Sequence, residues 1–274
     1  MTKLMLMPSD KSFDYDVSAY LIGIEGLSVN MPIYFSIDEL SDIKTDKDIF
    51  VCLNKNMHKD DLDNLESVLS KLVNVKGIFF YDIGVLNMVK RMNLGIDLVI
   101  AQEHSNTNYS TINFWYDQGV KYTLISTDNS VREIKEIISN TSSKLIMPIF
   151  GYQPMFVSRR HLVHNYLEFF DLKDDSDINY IYKEGKVYPI VDGLVTTVYT
   201  NDYLNGLDEF LELDVDYALL NSFMVSSSDM KEIIGLFNSV NSSNLSEYNK
   251  KISNILGSST DKFFLHKETI YKVK

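Results

Sequence analysis

The fold of this chain is decided by three apolar runs, which read DIFVCL (Asp48–Leu53), KGIFFY (Lys76–Tyr81) and DLVIA (Asp97–Ala101). Each run is nearly continuous rather than alternating with polar residues, which is typical of parallel strands that are covered on both faces. Between the runs, Lys59–Leu72 and Gly84–Met92 carry apolar residues at helical spacing, as the leucines at positions 62, 65, 69 and 72 show. The stretch therefore predicts strand, helix, strand, helix, strand.

The same alternation extends outward from this stretch to both sides. Further predicted strands are Lys3–Met7, Leu27–Asn30, Lys121–Ile125, Lys144–Phe150 and Asp216–Leu220. Further predicted helices are a short one with a capping box at Ser36, then Tyr109–Gln118, Ser130–Ser139, one near Asn201–Leu213, and Asp229–Val240. Strands and helices that alternate in this way predict an α/β protein with a parallel sheet.

A closed barrel and an open, doubly wound sheet both fit this alternation. The length of 274 residues is close to the roughly 250 residues of one (β/α)8 barrel. No glycine-rich phosphate fingerprint opens a predicted helix, which disfavours an open dinucleotide-binding sheet. We therefore predict a TIM-like (β/α)8 barrel, and the sequence leaves open whether all eight strands close it or an insert interrupts it.

The strand–helix rhythm breaks off after the seventh predicted strand and its helix. The insert, about residues 171–199, contains an acidic loop at Asp171–Asp177 and two predicted antiparallel strands, Asn179–Ile190 and Leu194–Tyr199. We therefore predict a small antiparallel β insert near residues 179–199, placed between the last two strands of the barrel.

The end of the chain is predicted to be a C-terminal extension of the barrel, about residues 241–274. The Ser- and Asn-rich stretch Asn238–Ser246 predicts a loop, and Thr269–Val273 predicts a last strand. Because neither an internal repeat nor a linker divides the sequence, we predict a single domain over residues 1–274.

The formal net charge of the chain is −12. This charge excludes a generally basic nucleic-acid surface, because binding to phosphates needs clustered lysine and arginine. We expect nucleic acid to bind only at a local basic patch or through a basic partner. An acidic surface is also compatible with simple solubility.

The chain contains one cysteine, Cys52, which lies in an apolar run and is expected to be a buried structural thiol. One cysteine excludes a disulfide within the chain and a cluster held by cysteines. No apolar stretch approaches the roughly 20 residues of a membrane helix, and Met1–Pro8 is too short for a signal peptide. We expect a cytoplasmic protein without membrane contact.

Polar side chains follow the predicted strands at their carboxyl ends, where barrels keep their working groups. The residues predicted to bind substrate there are Asn54, Asn56, Asp82, Gln102, Asn106, Asn108 and Tyr152. Such an amide- and hydroxyl-rich mouth suits a polar planar ligand, such as a base or a carboxylate. His104 is the candidate for proton transfer, because histidine titrates near neutral pH. Asp82, Asn108 and Asp128 also fit a purely structural role as helix N-caps.

The segment 151–166 places two arginines and two histidines beside aromatic residues. The residues predicted to bind substrate there are Arg159, Arg160, His161 and Asn165. Paired guanidinium groups can clamp an anion such as phosphate, and in a helix Arg160, His161 and His164 would share one face. An equally weighted alternative to the anion clamp is a structural role, in which the two arginines form ion pairs with carboxylates on the barrel rim. No carboxylate follows the histidines at a metal-binding spacing, so we predict no metal site.

This segment resembles the peptidase U32 family. The residues that match the family pattern after the seventh strand are Gly151, Met155, Ser158, Arg160, Leu162, Val163, Asn165 and Tyr166. Other stretches that resemble the family are Asn54–Asn56, Tyr81–Leu86, His104–Asn108 and Glu184–Ile190. The similarity covers most of residues 1–235, and the order and spacing of the motifs are more specific than any one of them.

The resemblance implies an incomplete or modified barrel that takes part in oxygen-independent or prephenate-linked hydroxylation. Family substrates include the wobble uridine of tRNA, a cytidine of ribosomal RNA and a ubiquinone precursor. Several members carry a four-cysteine iron–sulfur cluster, whose first cysteine corresponds to His161 here, and no further cysteine follows. The family motif after the eighth strand is not matched near Leu219–Met224, and Ser126–Asp128 lacks the family's glutamate. The chain resembles the short, cysteine-free branch in Firmicutes, which is thought to work beside a longer cysteine-bearing homologue.

Three hypotheses follow for the function. The leading one is a cluster-free subunit in tRNA wobble-uridine 5-hydroxylation, beside a longer cysteine-bearing U32 paralogue through which tRNA is bound. A prephenate-like carboxylate would be the co-substrate, and no cofactor would be bound covalently or by cysteines. The first alternative is a U32 peptidase or other hydrolase, for which the sequence shows no nucleophile–base pair. The second is a non-enzymatic scaffold or binding protein built on a degenerate barrel.

Overall fold

The computed structural model describes residues 2–102, 104–174 and 176–267. Its strands are β1 (Lys3–Met7), β2 (Ala19–Ile24), β3 (Tyr34–Phe35), β4 (Asp48–Leu53), β5 (Gly77–Phe80), β6 (Asp97–Ile100), β7 (Tyr122–Leu124), β8 (Lys144–Gly151), β9 (Pro154–Ser158), β10 (Asn179–Lys183), β11 (Lys186–Asp192), β12 (Thr196–Tyr199), β13 (Tyr203–Asn205), β14 (Tyr217–Asn221) and β15 (Thr260–Asp261). Its α-helices are α1 (Lys59–Ser70), α2 (Ile83–Arg91), α3 (Tyr109–Asp117), α4 (Val131–Asn140), α5 (Leu162–Phe169), α6 (Leu207–Glu212), α7 (Ser227–Ser239) and α8 (Leu245–Leu256).

Eight parallel strands close into a barrel. Their order around it is β1, β2, β4, β5, β6, β7, β8 and β14. Strand β14 pairs in parallel with β8 on one side and with β1 on the other, which joins the two ends of the sheet. The predicted (β/α)8 barrel is therefore confirmed, and the antiparallel insert does not interrupt it.

Both faces of the barrel strands are buried, which explains their continuous apolar runs. Inside the barrel, the ring of Phe50 packs edge to face against Tyr122 and Tyr217, with centroid distances of 5.9 and 5.8 Å. The next residue of the strand, Val51, belongs to the shell between the strands and the surrounding helices, as does Leu53. The alternation of side chains across the strand thus supplies an inner and an outer core from one sequence run.

Predicted element boundaries between residues 48 and 151 agree with the structure to within two residues. The capping box at Ser36 is also formed: the Ser36 amide donates to Glu39 Oε2 at 2.8 Å, and the Glu39 amide donates to Ser36 Oγ at 3.4 Å. The helix that it begins is only a 3₁₀ turn, Asp38–Asp42.

The prediction of the second barrel strand was wrong. That strand is Ala19–Ile24, and the predicted Leu27–Asn30 lies in the turn and loop that follow it. All six residues of β2 are buried between β1 and β4. Gly23 interrupts the apolar run, because a Cβ there would lie 2.8 Å from the Cγ of Met31. Glycine lowers the strand signal of a sequence, although here it allows this close approach.

The predicted antiparallel insert exists, but it is larger than predicted. Its sheet has the strand order β10, β11, β12, β9. The predicted single strand Asn179–Ile190 is in fact a hairpin, which turns at Glu184 and Gly185 with φ angles of 52° and 75°. Two consecutive residues with positive φ are typical of a tight hairpin turn. The fourth strand, β9, comes from the segment that also carries the arginine pair.

The C-terminal part also differs from the prediction. The helix predicted near Asn201–Leu213 divides into strand β13, which pairs with β8 and β15, and helix α6. Helix α8 begins at the end of the stretch that predicted a loop, and it was not predicted. The predicted strand Thr269–Val273 lies outside the described residues. Within the described ranges, no helix combines the length and the apolar character needed to cross a membrane.

Candidate active site

The carboxyl ends of the barrel strands border a small cavity of about 70 Å³ and two larger ones, which the small antiparallel sheet borders on one side. The larger of these two, here called the amide cavity, has a volume of about 670 Å³ and lies between the loops after β4, β5 and β6 and strand β9. The smaller of these two, here called the aromatic cavity, has a volume of about 370 Å³. It lies between the loops after β7 and β8, strand β11 and residues 262–265. Barrel enzymes bind their ligands at this end of the strands.

The amide cavity brings together four of the predicted site residues: Asn54, Asn56, His104 and Arg159. Lys55 adds a second cationic side chain. The opposite wall is apolar and consists of Met155, Phe156, Val157, Leu194 and Val195. One polar and one apolar wall suit a flat ligand that carries hydrogen-bonding groups along its edge.

The aromatic cavity combines cationic and aromatic side chains from distant parts of the chain. Lys186 and Tyr188 come from strand β11, and Lys262, Phe263 and Phe264 come from the C-terminal segment. The cavity also has an apolar floor, which includes Ile134, Met147, Pro148 and Leu204. Such a lining suits a small ligand with an apolar ring and a carboxylate.

His104 lines both cavities and lies in the wall between them. Its Nδ1 atom is 3.5 Å from Oδ2 of Asp128, and its side chain is 72% exposed. Pro154 and Met155 complete the shared wall. An exposed imidazole beside a carboxylate can accept or donate a proton toward a ligand in either cavity.

Arg159 is a cation of the amide cavity that has no ion-pair partner among the described residues. No carboxylate within the described ranges lies within 4.0 Å of its guanidinium, whereas Lys55 forms an ion pair of 2.8 Å with Asp61. The hydrogen bond from Lys55 lowers the pKa of the Asp61 carboxyl, so this pair stays charged at neutral pH. Arg159 is therefore available to bind an anion.

Two predicted site residues have structural roles as helix N-caps. Asp82 caps α2 by accepting from the Gly84 amide at 2.7 Å, and its second oxygen accepts from the Met57 amide at 3.2 Å. Asn108 caps α3 by accepting from the Thr111 amide at 2.9 Å. Neither residue lines the two cavities. The structural role that the sequence allowed for both is confirmed.

Two further predicted residues hold the loops of the mouth in place. The amide of Asn54 bonds both backbone groups of Val29, with distances of 2.8 and 3.1 Å. Gln102 donates to the carbonyl of Tyr81 at 2.9 Å and does not line either cavity. Asn54 thus fixes the loop after β2 while it forms part of the polar wall.

Asn106 is completely buried beneath the mouth. Its Nδ2 donates to the carbonyl oxygens of Ile100 and Leu124 at 3.3 and 3.0 Å, so it joins the ends of β6 and β7. Its Oδ1 has no hydrogen-bond partner among the described residues. A buried acceptor of this kind costs free energy, since it has lost its water.

Tyr152 packs in an aromatic cluster rather than in a cavity wall. Its ring centroid lies 4.1 Å from that of Tyr203, and burial raises the pKa of its phenol. The preceding residue, Gly151, has a φ of 100°, and a Cβ there would lie 2.1 Å from the carbonyl oxygen of Asn221. Only glycine fits this position, which explains the glycine that begins the segment.

Arg160, His161 and His164 do not share a helical face, because Arg160 and His161 lie before the first residue of the helix. Residues 154–158 form strand β9, and helix α5 begins only at Leu162, with His161 as its N-cap. The chain turns sharply between the two elements at Arg159 and Arg160. The turn separates the arginine pair, since Arg159 lines the amide cavity and Arg160 does not.

Arg160, His161 and Asn165 lie at the start of α5, and none of them lines either cavity. The Nδ1 atom of His161 is 3.4 Å from Oδ1 of Asp192, in the small sheet. The side chain of Asn165 is exposed. That these residues bind substrate stays a prediction, although the structure does not bring them to the barrel mouth.

Sequence comparison identifies the family of the chain. The sequence profile of peptidase family U32 matches residues 11–270. The chain belongs to peptidase family U32. This U32 chain is 25% identical over 159 residues to tRNA hydroxylation protein P2 of Bacillus subtilis (strain 168), which covers 56% of this chain and 52% of that protein. It is 25% identical over 162 residues to tRNA hydroxylation protein P1 of the same organism, which covers 56% of this chain and 38% of that protein.

The fold of this U32 chain is also found in a solved structure. The U32 peptidase Mk0906 superposes with a TM-score of 0.50 at 14% sequence identity, over 81% of this chain and 93% of that one. At this identity the likeness shows a shared fold. The U32 chain covers about half the length, or less, of the two curated relatives it matches.

The residues of this U32 chain do not fit a four-cysteine iron–sulfur cluster. Its one cysteine, Cys52, is buried inside the barrel among apolar side chains. His161 stands where the family's first cluster cysteine is expected, and its side chain lies beside Asp192. Across the described residues, no three His, Cys, Asp or Glu side chains are grouped so that they could hold a metal ion.

Sequence reasoning missed the residues that the insert and the C-terminal segment bring to the mouth of this U32 chain. The missed residues are Lys186, Tyr188, Lys262, Phe263 and Phe264. Lys262 and His266 both donate to Glu209, whose carboxylate is fully buried, at 2.7 and 2.6 Å. No sequence signal marked these residues, because the burial of Glu209, which needs hydrogen-bond partners from elsewhere in the chain, is visible only in the fold.

Proposed function

We propose that this U32 chain takes part in 5-hydroxylation of the wobble uridine of tRNA. In this proposal it is a subunit without a cysteine-held cluster, and it works in the cytoplasm beside a longer, cysteine-bearing U32 paralogue. Membership of the family and similarity to two tRNA hydroxylation proteins support a role in tRNA modification. The names P1 and P2 of those relatives fit a paired system.

The observation that carries the proposal is the pair of cavities that share His104. A hydroxylation that takes its oxygen from a small molecule needs two ligands side by side. The amide cavity would hold the uracil base, whose imide edge matches the amide groups of Asn54 and Asn56. The aromatic cavity would hold a prephenate-like carboxylate, with Lys186 near its charge. His104 would then serve a proton transfer between them.

The position of Arg159 fits an RNA substrate. A base that is turned out of a stacked loop carries its own phosphate to the rim of the pocket. Arg159 has no ion-pair partner within the described ranges and lies on the rim of the amide cavity, so it is placed to bind that phosphate.

The overall charge explains why a partner is part of the proposal. A net charge of −12 repels the tRNA backbone, and one arginine does not compensate for it. We propose that the longer paralogue supplies the larger basic surface, while this chain contributes the pocket. The hydrolase alternative lacks supporting geometry, because no serine or threonine hydroxyl is hydrogen bonded to a histidine ring within the described residues.

The test is mass spectrometry of tRNA nucleosides from a strain without this gene. We expect 5-hydroxyuridine-derived nucleosides to fall and to be restored by the wild-type gene. The Arg159→Ala gene should restore the amount of these nucleosides to about one tenth of the amount that the wild-type gene restores. The reason is that a charge-assisted hydrogen bond contributes about 1.5–3 kcal/mol. Arg132→Ala is the matched control and should restore them fully, because Arg132 is exposed on α4 and lines neither cavity. Unchanged nucleosides in a strain that also lacks the paralogue would contradict the proposal and favour the scaffold alternative.

A further inference from the structure

Three aromatic rings at the end of α5 form an exposed cluster. Tyr166 lies 4.8 Å from Phe170, and Phe170 lies 4.9 Å from Phe169, measured between ring centroids. Their exposed fractions are 58% for Tyr166, 54% for Phe170 and 81% for Phe169, and Leu172 beside them is 51% exposed. These four residues are called the α5 patch below. Contiguous apolar surface of this kind marks an interaction site on a soluble protein.

The backbone holds the α5 patch in a fixed arrangement. Helix α5 ends in a Schellman motif, in which the Asp171 amide donates to the Glu168 carbonyl at 3.2 Å and the Leu172 amide donates to the Leu167 carbonyl at 2.9 Å. Asp171 has a φ of 50° there, a conformation that normally selects glycine. Because the turn is fixed before binding, a partner loses little affinity in ordering it.

Helix α5 is poorly covered by the rest of the chain. It has only eight residues, and none of them is buried. Isolated helices shorter than about 12–15 residues are marginal in water, so such a helix relies on packing for its stability. The α5 patch lies apart from the two mouth cavities, since none of its residues lines them. A partner bound to the patch therefore leaves the mouth open.

The rim of the α5 patch is acidic. Glu168, Asp171, Asp174 and Asp177 are exposed on α5 and in the loop that follows it, and one described lysine of this loop, Lys173, lies among them. The Nε2 atom of His164 is 4.0 Å from Oε2 of Glu168. Hydrogen bonds from the Ser176 hydroxyl and amide lower the pKa of Asp174, which keeps it ionised. Such a rim repels RNA phosphates. A symmetric contact with a second copy would bring the same carboxylates together, so a different protein with a basic rim fits best.

We infer that the α5 patch docks a protein surface that has an apolar pocket and a rim of lysine and arginine. This inference rests on the proposed function, and it identifies the docked protein as the longer, cysteine-bearing U32 paralogue. Phe169 is the central anchor, because it is the most exposed of the aromatic side chains and is carried by a fixed turn.

The first test measures the affinity of the purified chain for the purified paralogue of the same organism. Phe169→Ser should weaken binding at least about 30-fold, which is typical of an interface hot spot. Phe114→Ser is the matched control, because Phe114 is 56% exposed on a helix of the barrel. It should change the affinity by less than about twofold, with both variants folded by circular dichroism. Equal affinity of wild type and Phe169→Ser, or no binding by wild type, would overturn the inference.

The second test uses the acidic rim. Binding of wild type should weaken as salt increases, and Asp171→Asn combined with Asp174→Asn should reduce this salt dependence. Salt dependence that the double substitution leaves unchanged would argue against a basic rim. Self-association of wild type, or its binding to tRNA, would also overturn the inference if Phe169→Ser abolished it.

The nucleoside experiment distinguishes a failure of this inference from a failure of the proposed function. A complex that depends on Phe169, with tRNA nucleosides unchanged by deletion, would support the docking surface and overturn the function. Loss of the nucleosides on deletion, with full rescue by Phe169→Ser, would support the function and overturn the docking surface.

Discussion

The Nδ1 atom of His104 lies 3.5 Å from Oδ2 of Asp128, in the wall between the amide and aromatic cavities. A positioned acid–base group typically accelerates a reaction by a factor on the order of 10²–10⁴. We therefore expect His104→Gln to lower hydroxylation by the complex with the paralogue at least about 100-fold. The measurement is formation of 5-hydroxyuridine in tRNA by the purified complex. His164→Gln is the control, since His164 is 74% exposed outside both cavities, and an equal loss in both variants would contradict a specific role.

Asp128 should act through His104. We expect Asp128→Asn to lower the rate, because the carboxylate helps to orient the imidazole ring that it contacts. The loss at the optimum pH should be smaller than that caused by His104→Gln. A rate that is unchanged in Asp128→Asn would show that the 3.5 Å contact has no functional role.

Gly151→Ala should destabilise the barrel strongly. The substitution forces a Cβ to within 2.1 Å of the Asn221 carbonyl oxygen at a φ of 100°. We expect a loss of at least about 2 kcal/mol in the free energy of unfolding, measured with urea. Gly235→Ala is the opposite control: it lies in helix α7, where an added Cβ meets nothing within 4 Å. It should raise the stability by about 0.5–1 kcal/mol, and similar effects of the two substitutions would refute this explanation.

Glu209 holds the C-terminal segment against α6. Its buried carboxylate accepts from Lys262 and His266, at 2.7 and 2.6 Å. We expect Glu209→Ala to speed amide hydrogen exchange in residues 260–267 at least about tenfold, because the segment loses its anchor. Glu212→Ala is the control, since Glu212 is 44% exposed and forms an ion pair with Lys135. Unchanged exchange in residues 260–267 of Glu209→Ala would contradict the role of this anchor.

Asp10 should make the fold sensitive to acid. Burial by itself would raise the pKa of this carboxyl, but hydrogen bonds from Ser12, Ser227 and Tyr15 hold it well below its usual range. A carboxyl whose pKa is lower in the folded state stabilises the fold above about pH 4, and this contribution is lost as the pH falls further. Asp10→Asn should therefore have a lower urea midpoint than wild type at pH 7.

The difference between the two proteins should shrink at pH 3, where part of the contribution of Asp10 is already lost. Asp63→Asn is the control, because Asp63 is exposed and pairs with Lys59 on the surface of α1. A difference between Asp10→Asn and wild type that is the same at both pH values would show that the hydrogen bonds of Asp10 do not set the acid stability.

The barrel was predictable because parallel strands buried on both faces leave continuous apolar runs such as Asp48–Leu53. Strand β2 was not predictable in this way, because Gly23 interrupts its apolar run. Glycine is needed there because the side chain of Met31 packs where a Cβ would lie. The hairpin at Glu184 and Gly185 was also hidden, because tight hairpin turns favour Asn-Gly or Asp-Gly. At Gly23 a contact that depends on the fold decided the residue, and the local pattern does not contain that contact.

The candidate site could be predicted only in part. Asn54, Asn56 and His104 follow predicted strand ends, and the structure places all three in the wall of the amide cavity, as this position predicted. The same rule selects N-caps, because helices begin at the same junctions, and Asp82 is one of them. Of the other predicted caps, Asn108 is confirmed, whereas helix α4 is capped by Ser130 instead of Asp128.

The strand β9 forms a wall for two spaces at once, through Pro154 and Met155. A displacement of this strand toward one cavity enlarges the other by a similar amount. A molecule that fits tightly on one side therefore changes the free energy of binding on the other, and thermodynamic linkage makes this effect equal in both directions. Two ligands bound in the mouth would thus influence each other's affinity through β9, an edge strand of the small sheet that lies outside the barrel itself.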